Sequence, residues 1–223
     1  MRNYIKFVVT IVVAIGVSGA IAGSYDDFFA AVGQDDAATV QALLNRGFDP
    51  NTRSPQGLDG LYLALRAGSL KAADVLIRFP KAEIDARTPQ DETPLMMASL
   101  RGQLEVVRKL VARGADVNKT GWAPLHYAAS GGHVPVIELL LEESAYIDAA
   151  SPNGTTPLMM AAMYGTPAAV KLLLEAGADP TLKNQLGLTA EDFAKRGNRS
   201  DAQALVADAA KAWREKYGQP ARR

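Results

Sequence analysis

The sequence predicts an all-α solenoid of stacked helix-turn-helix units joined by short hairpin loops. Three observations carry that expectation. The stretch Asp91–Gly102 (DETPLMMASLRG) returns as Gly121–Gly132 (GWAPLHYAASGG) and again as Gly154–Gly165 (GTTPLMMAAMYG). Each copy is followed by an apolar run at helical spacing. Each run ends in a tail such as Gly114-Ala115-Asp116-Val117-Asn118 or Gly177-Ala178-Asp179-Pro180-Thr181. One pair of short helices cannot cover its own apolar face, so such units are stable only when stacked on neighbours.

A repeat of about 33 residues carrying T-P-L-H-x-A resembles the ankyrin repeat. Three features recur in phase here: the Thr-Pro start, the small-residue first helix and the Gly-Ala-Asp end. Aligning the small residue late in each first helix selects Ala30, Ala64, Ala98, Ala128, Ala161 and Ala194. That alignment makes six units, at about 24–57, 58–91, 92–121, 122–154, 155–187 and 188–217, within one repeat domain spanning 23–223.

Ahead of the repeats, Arg2 and Lys6 precede Phe7–Ala22, which carries no charge. A basic start, a short apolar core and small residues before a polar stretch describe a secretory signal peptide, residues 1–22. Ala20-Ile21-Ala22 places the cut before Gly23, and Ser18-Gly19-Ala20 is a second candidate. The alternative is a retained anchor, although the run falls short of the roughly 20 apolar residues of a spanning helix. Without a cysteine after it, the leader is not that of a lipoprotein. Export to a bacterial periplasm is the expectation.

Unit one begins with Tyr25-Asp26-Asp27-Phe28-Phe29 and lacks the Thr-Pro start, as befits the end of a stack. Its second helix is expected over Asp36–Asn45 with Val40, Leu43 and Leu44 inward. In unit two, Asp59-Gly60 replaces Thr-Pro, and Asp59 can cap the helix through its carboxylate. Pro80 should stop the second helix of that unit. Units three and five are regular, with Thr93 and Thr156 as caps and Pro94 and Pro157 at the first helical position. Unit four is short. Asn118 to Ala123 is five residues, where the matching distance from Asp148 to Thr156 is eight. The missing residues must come from the projecting hairpin, leaving a clipped finger that ends in Trp122. Unit six closes the stack with a longer helix over Asp201–Tyr217, its apolar stripe expected at Leu205, Val206, Ala209, Ala212 and Trp213.

Composition narrows the chemistry. The 24 basic and 24 acidic residues cancel, and cysteine is absent. That excludes disulfides, thiolate catalysis and Cys-ligated zinc, and offers no basic face for nucleic acid. His126 and His133 fall at positions that tie adjacent repeats together in the family, and their spacing matches no zinc motif. No nucleophile elbow or phosphate loop occurs. Met96, Met97, Met159, Met160 and Met163 are a thioether set that could suit Cu(I), or simple packing at equivalent positions. No catalytic residue, cofactor or resident metal is predicted.

The resemblance implies a monomeric scaffold for another protein, with contacts from hairpin tips and the exposed ends of first helices. Carried over position by position, the partner-binding residues are Arg66, Arg87, Glu92, Leu100, Arg101, Trp122, Ser130, Asn153, Met163 and Tyr164. Leu100, Trp122, Met163 and Tyr164 would form an apolar patch rimmed by arginines. The competing expectation is that Trp122 folds back into the space left by its shortened hairpin. One function is scaffolding or protection of an envelope enzyme; another is immunity against a toxin in the same compartment.

Overall fold

The fold follows from pairs of short helices, seen in a computed structural model that describes residues 23–218. The expected leader, 1–22, and residues 219–223 lie outside the described residues. The chain divides into two compact units, Met1–Glu83 and Ile84–Arg223. Among the described residues there is no named strand, only an isolated bridge between Arg53 and Asp59.

The first unit holds α1 (residues 23–33), α2 (Ala37–Asn45), α3 (Gly60–Ala67) and α4 (Leu70–Arg78). Phe28, Ala31 and Val32 of α1 are buried at helical spacing, which turns Ala30 outward to water. The repeat register therefore runs through Ala31, correcting the expected Ala30 by one residue. Phe28 packs against Gly60, where a Cβ would lie 2.6 Å from the ring. That contact explains why α3 starts with Asp59-Gly60 instead of Thr-Pro. Asp59 caps α3 as expected, its Oδ1 accepting the Tyr62 N–H at 2.8 Å. Asp36 caps α2 in the same way, taking the Thr39 N–H at 3.1 Å. Helix α4 has no cap of its own. Asp35 supplies one, accepting the Lys71 and Ala72 N–H groups at 2.8 and 2.9 Å. Pro80 follows the end of α4, where its missing N–H forbids continuation.

The second unit holds α5 (Pro94–Leu100), α6 (Leu104–Ala112), α7 (Pro124–Gly131), α8 (Val134–Glu142), α9 (Pro157–Tyr164), α10 (Pro167–Glu175), α11 (Ala190–Arg196) and α12 (Ser200–Tyr217). First helices α5, α7, α9 and α11 neighbour one another in order, and so do second helices α6, α8, α10 and α12. Thr93, Thr156 and Thr189 cap their helices through the hydroxyl. The cap's own N–H is satisfied three residues on, by Met96 Sδ, His126 Nδ1, Met159 Sδ or Asp192 Oδ2. Four side chains of three different chemistries thus do one job, which is why the His of the family phrase can become Met or Asp here.

Two ladders tie successive repeats of this unit. At the hairpin bases, Asp85 accepts the Asp116 N–H, Asn118 accepts that of Tyr146, and Asp148 accepts that of Asp179. At the first-helix ends, His133 Nε2 bonds to the Leu100 carbonyl, Thr166 Oγ1 to that of Gly132, and Arg199 to that of Gly165. In α12 the buried positions are Ala202, Val206 and Ala210, four apart. The expected stripe is corrected accordingly: Val206 is right, Leu205, Ala209 and Trp213 are half-buried, and Ala212 is exposed. Small residues at the contact let this helix sit close to α10 and α11. No helix among the described residues is long and apolar enough to cross a membrane.

Candidate functional site

The site begins with the clipped finger. In the complete fingers of the second unit a hydroxyl or amide closes the loop. Thr88 Oγ1 accepts the Glu92 N–H at 3.1 Å, Ser151 Oγ that of Thr155 at 3.0 Å, and Asn184 Oδ1 that of Leu188 at 3.0 Å. The finger of repeat four is too short for such a closure. Lys119 takes over. Its side chain is 2% exposed, and its Nζ lies 2.5 Å from Asp91 Oδ2 and 3.2 Å from the Thr120 carbonyl. Asp91 has φ +62°, the left-handed turn position that Gly154 and Gly187 fill in later fingers. Aspartate tolerates that region better than most residues. Its carboxylate also meets Arg87 at 3.1 Å. The Lys119 hydrogen bond holds the Asp91 carboxyl below the usual range.

Trp122 stands where the neighbouring repeats have Glu92 and Thr155. Its ring meets His126 edge-on, with centroids 5.2 Å apart. His126 is fully buried. The Ala123 N–H donates to Nδ1 at 3.1 Å, so the ring proton resides on Nε2, which bonds to the Thr155 carbonyl at 2.9 Å. Burial pushes the imidazole pKa down. A neutral ring whose two nitrogens are both engaged positions Trp122 and ties repeat four to repeat five.

Beside this pair a cavity of about 280 Å³ opens, lined by Leu100, Trp122, His126, Tyr127, Ser130 and Met160. Trp122 packs against His126 at the start of α7 and forms a wall of the pocket. Of the residues proposed from sequence, Leu100, Trp122 and Ser130 come together here. Met163, half-buried, and Tyr164, 57% exposed, sit at the end of α9 outside the lining. Tyr127 and Met160 take their place. Together with Met97 they form a repeat column one residue after the cap acceptor, which the alignment contains but the expectation overlooked. Tyr127 donates its hydroxyl to Glu92 Oε1 at 3.0 Å, which fixes the ring across the finger base.

The remaining candidates scatter. Arg87 is engaged with Asp91, Arg101 is exposed next to Leu100, and Asn153 is exposed at its finger tip, accepting from Ser151. Arg66 belongs to the first unit, where it lines a separate cavity of about 440 Å³ with Tyr25, Phe29 and Leu63. Met96 and Met159 are buried with their sulfurs accepting backbone N–H groups, and Met97 is buried in α5. No group of three His, Cys, Asp or Glu that could hold a metal occurs among the described residues.

Comparison with known proteins matches this geometry. The family model "Ankyrin repeats (3 copies)" matches residues 28–121 and 113–184. The p105 subunit of nuclear factor NF-kappa-B from Gallus gallus is 34% identical over 161 residues, 69% of this chain. The chain spans only 16% of that protein's length. The putative ankyrin repeat protein YahD of Escherichia coli is 29% identical over 191 residues, covering 81% of this chain and 94% of YahD. Among solved structures, a chain in the complex of the Bd0816 predatory endopeptidase with immunity protein Bd3460, from Bdellovibrio bacteriovorus, superposes with a TM-score of 0.69 at 28% identity. It covers 82% of this chain and 97% of that one. Repeat phrase, paired helices and cap geometry lead to one assignment: this chain belongs to the ankyrin-repeat family.

Proposed function

We propose that this protein binds another protein through the face formed by α5, α7 and α9, and does no chemistry of its own. One observation carries the reading. The pocket is lined by Trp122 and Ser130, and neither the indole N–H nor the Ser130 hydroxyl has a hydrogen-bond partner among the described residues. An aromatic wall with unengaged polar handles is what a binding anchor requires. The working compartment is the periplasm, reached through cleavage after Ala22, and the role is to protect or regulate an envelope enzyme.

A second reading is inhibition of an enzyme, as an immunity protein does with a toxin. Its support is the likeness to a chain of the endopeptidase–immunity protein complex, which runs nearly the whole length of that chain.

Crosslinking and affinity capture from the periplasmic fraction, with Trp122→Ala as control, tests both. A stoichiometric partner held by the wild type and lost by a variant with unchanged helical signal supports the proposed face. If that partner is a hydrolase whose activity falls on binding, the inhibitory reading gains. Equal capture by wild type and variant would remove the site from this pocket. N-terminal sequencing of the captured protein should begin at Gly23; an intact Met1 in the membrane pellet would replace export with anchoring.

A further inference from the structure

We propose that the segment bound at this face is acidic and carries one large apolar side chain, which seats in the Trp122 pocket while a neighbouring carboxylate meets Arg101. This rests on the reading that the pocket binds a protein. The size argument comes first. A cavity of about 280 Å³ lies just below the roughly 300–1,000 Å³ of drug-sized pockets and suits a single side chain. Its walls are a leucine, a methionine, three aromatic rings (Trp122, Tyr127 and His126) and one serine, a mainly apolar lining that favours an aromatic, leucine or methionine guest.

Charge supplies the rest. The finger beside the pocket carries two carboxylates, Asp91 and Glu92, and two cations, Arg87 and Lys119, and Arg101 follows the pocket residue Leu100 in sequence. Both carboxylates are engaged. Asp91 is shared by Lys119 and Arg87, and Glu92 accepts the Tyr127 hydroxyl. The Arg101 guanidinium is exposed and has no hydrogen-bond or ion-pair partner among the described residues. It directly follows Leu100, a pocket wall. The unengaged charge next in sequence to a pocket wall is therefore positive, and it matches a carboxylate on the guest. Arg196, at the end of α11, is a second exposed cation on the same row of helices, facing Asp192 one turn earlier. An arginine can hold a carboxylate through two parallel N–H bonds, which orients the segment as well as attracting it.

The experiment is selection of random displayed peptides on the folded protein, followed by titration of the enriched peptides. It uses a Trp213→Phe background, in which Trp122 is the one remaining tryptophan. Enriched peptides should share one large apolar residue with Asp or Glu close by, and binding should shift the Trp122 emission. Ser130→Phe, which fills the pocket, should weaken binding by about tenfold or more. Arg101→Glu lies on the surface and leaves folding alone; it should cost about tenfold, and wild-type binding should weaken as salt rises. Enriched peptides that are neutral or basic would overturn the proposal. So would acidic peptides that bind both variants like wild type, though protein binding through another face would then stand. Absence of any enriched peptide, with a partner still captured in the crosslinking experiment, would overturn the linear acidic segment and leave the broader reading intact.

Discussion

Lys119 and Asp91 meet across two fingers with Nζ and Oδ2 2.5 Å apart, although the lysine side chain is 2% exposed and the aspartate 56%. The pair is lopsided. Its buried member needs its partner, while its exposed member could be solvated by water. Asp91→Gly keeps the left-handed turn, because glycine fills that position in later fingers, and removes only the carboxylate. It should destabilise the second unit by about 1–3 kcal/mol, with solvent screening of the exposed carboxylate favouring the lower end. Lys119→Met should cost less, since it takes the buried charge away. The lowered Asp91 pKa adds a pH signature: this stability is present above the ordinary carboxylate pKa of about 3.9 and is lost as pH falls below it. Urea unfolding of wild type and both variants at neutral and acid pH checks the order.

His126→Met is the sharpest test of the histidine's role. Met96 and Met159 already perform the cap-acceptor half of the job in neighbouring repeats. The substitution should therefore lose the bond to the Thr155 carbonyl and the edge-on contact with Trp122 while keeping the cap, at about 1–2 kcal/mol. Burial lowers the folded-state pKa, so the unfolded chain binds the proton more readily. Wild-type stability should be fully present above about pH 6.5 and decline as pH falls through that value. The variant should lose that part of the slope. Tm measured between pH 7.5 and 5 reads both effects.

Asp59→Thr should raise stability. The Asp59 side chain caps α3 with one oxygen, while Oδ2 is buried without a partner, and burial pushes its pKa up. Threonine restores the cap residue used by α5, α9 and α11 and removes the buried charge. A gain of about 0.5–1 kcal/mol is expected at neutral pH. The gap should close as pH falls, because the native carboxyl is then protonated and its cost disappears. Thermal melts at pH 7 and pH 4 would show the convergence.

Gly165→Ala and Gly60→Ala separate two kinds of close approach. At Gly165 a Cβ would lie 2.4 Å from the Ala129 carbonyl oxygen, which is backbone on the neighbouring helix α7. At Gly60 it would lie 2.6 Å from the Phe28 ring, a side chain. Backbone cannot rotate away, so Gly165→Ala should cost about 2–3 kcal/mol and Gly60→Ala about 1–2 kcal/mol. Denaturant midpoints at unchanged m-value check the ranking.

Most of the fold was legible because ankyrin repeats write their caps into the chain. Thr93, Pro94, Thr156 and Pro157 stand at helix starts whose orphan N–H groups require them. Asp59 was readable as a cap for the same reason. The errors fall where no cap or phrase marks the phase. In α1 nothing distinguishes Ala30 from Ala31 until Phe28 finds Gly60. In α12 a run rich in alanine leaves the inward stripe to be chosen by α10 and α11. The candidate site was legible in part. Trp122 stood out through the shortened finger, whereas Tyr127 and Met160 looked like ordinary first-helix residues.

By itself, then, the sequence determined the repeat, the helix starts and the position of the clipped finger, because these depend on hydrogen-bond needs within a few residues of one another. Only the tertiary structure decided what fills the gap. Lys119 reaches back 28 residues to Asp91, and His126 reaches forward 29 residues to Thr155. Such contacts are set by how neighbouring repeats stack, and no local pattern encodes them. The same stacking brings Leu100, Trp122 and Met160 from three repeats around one pocket.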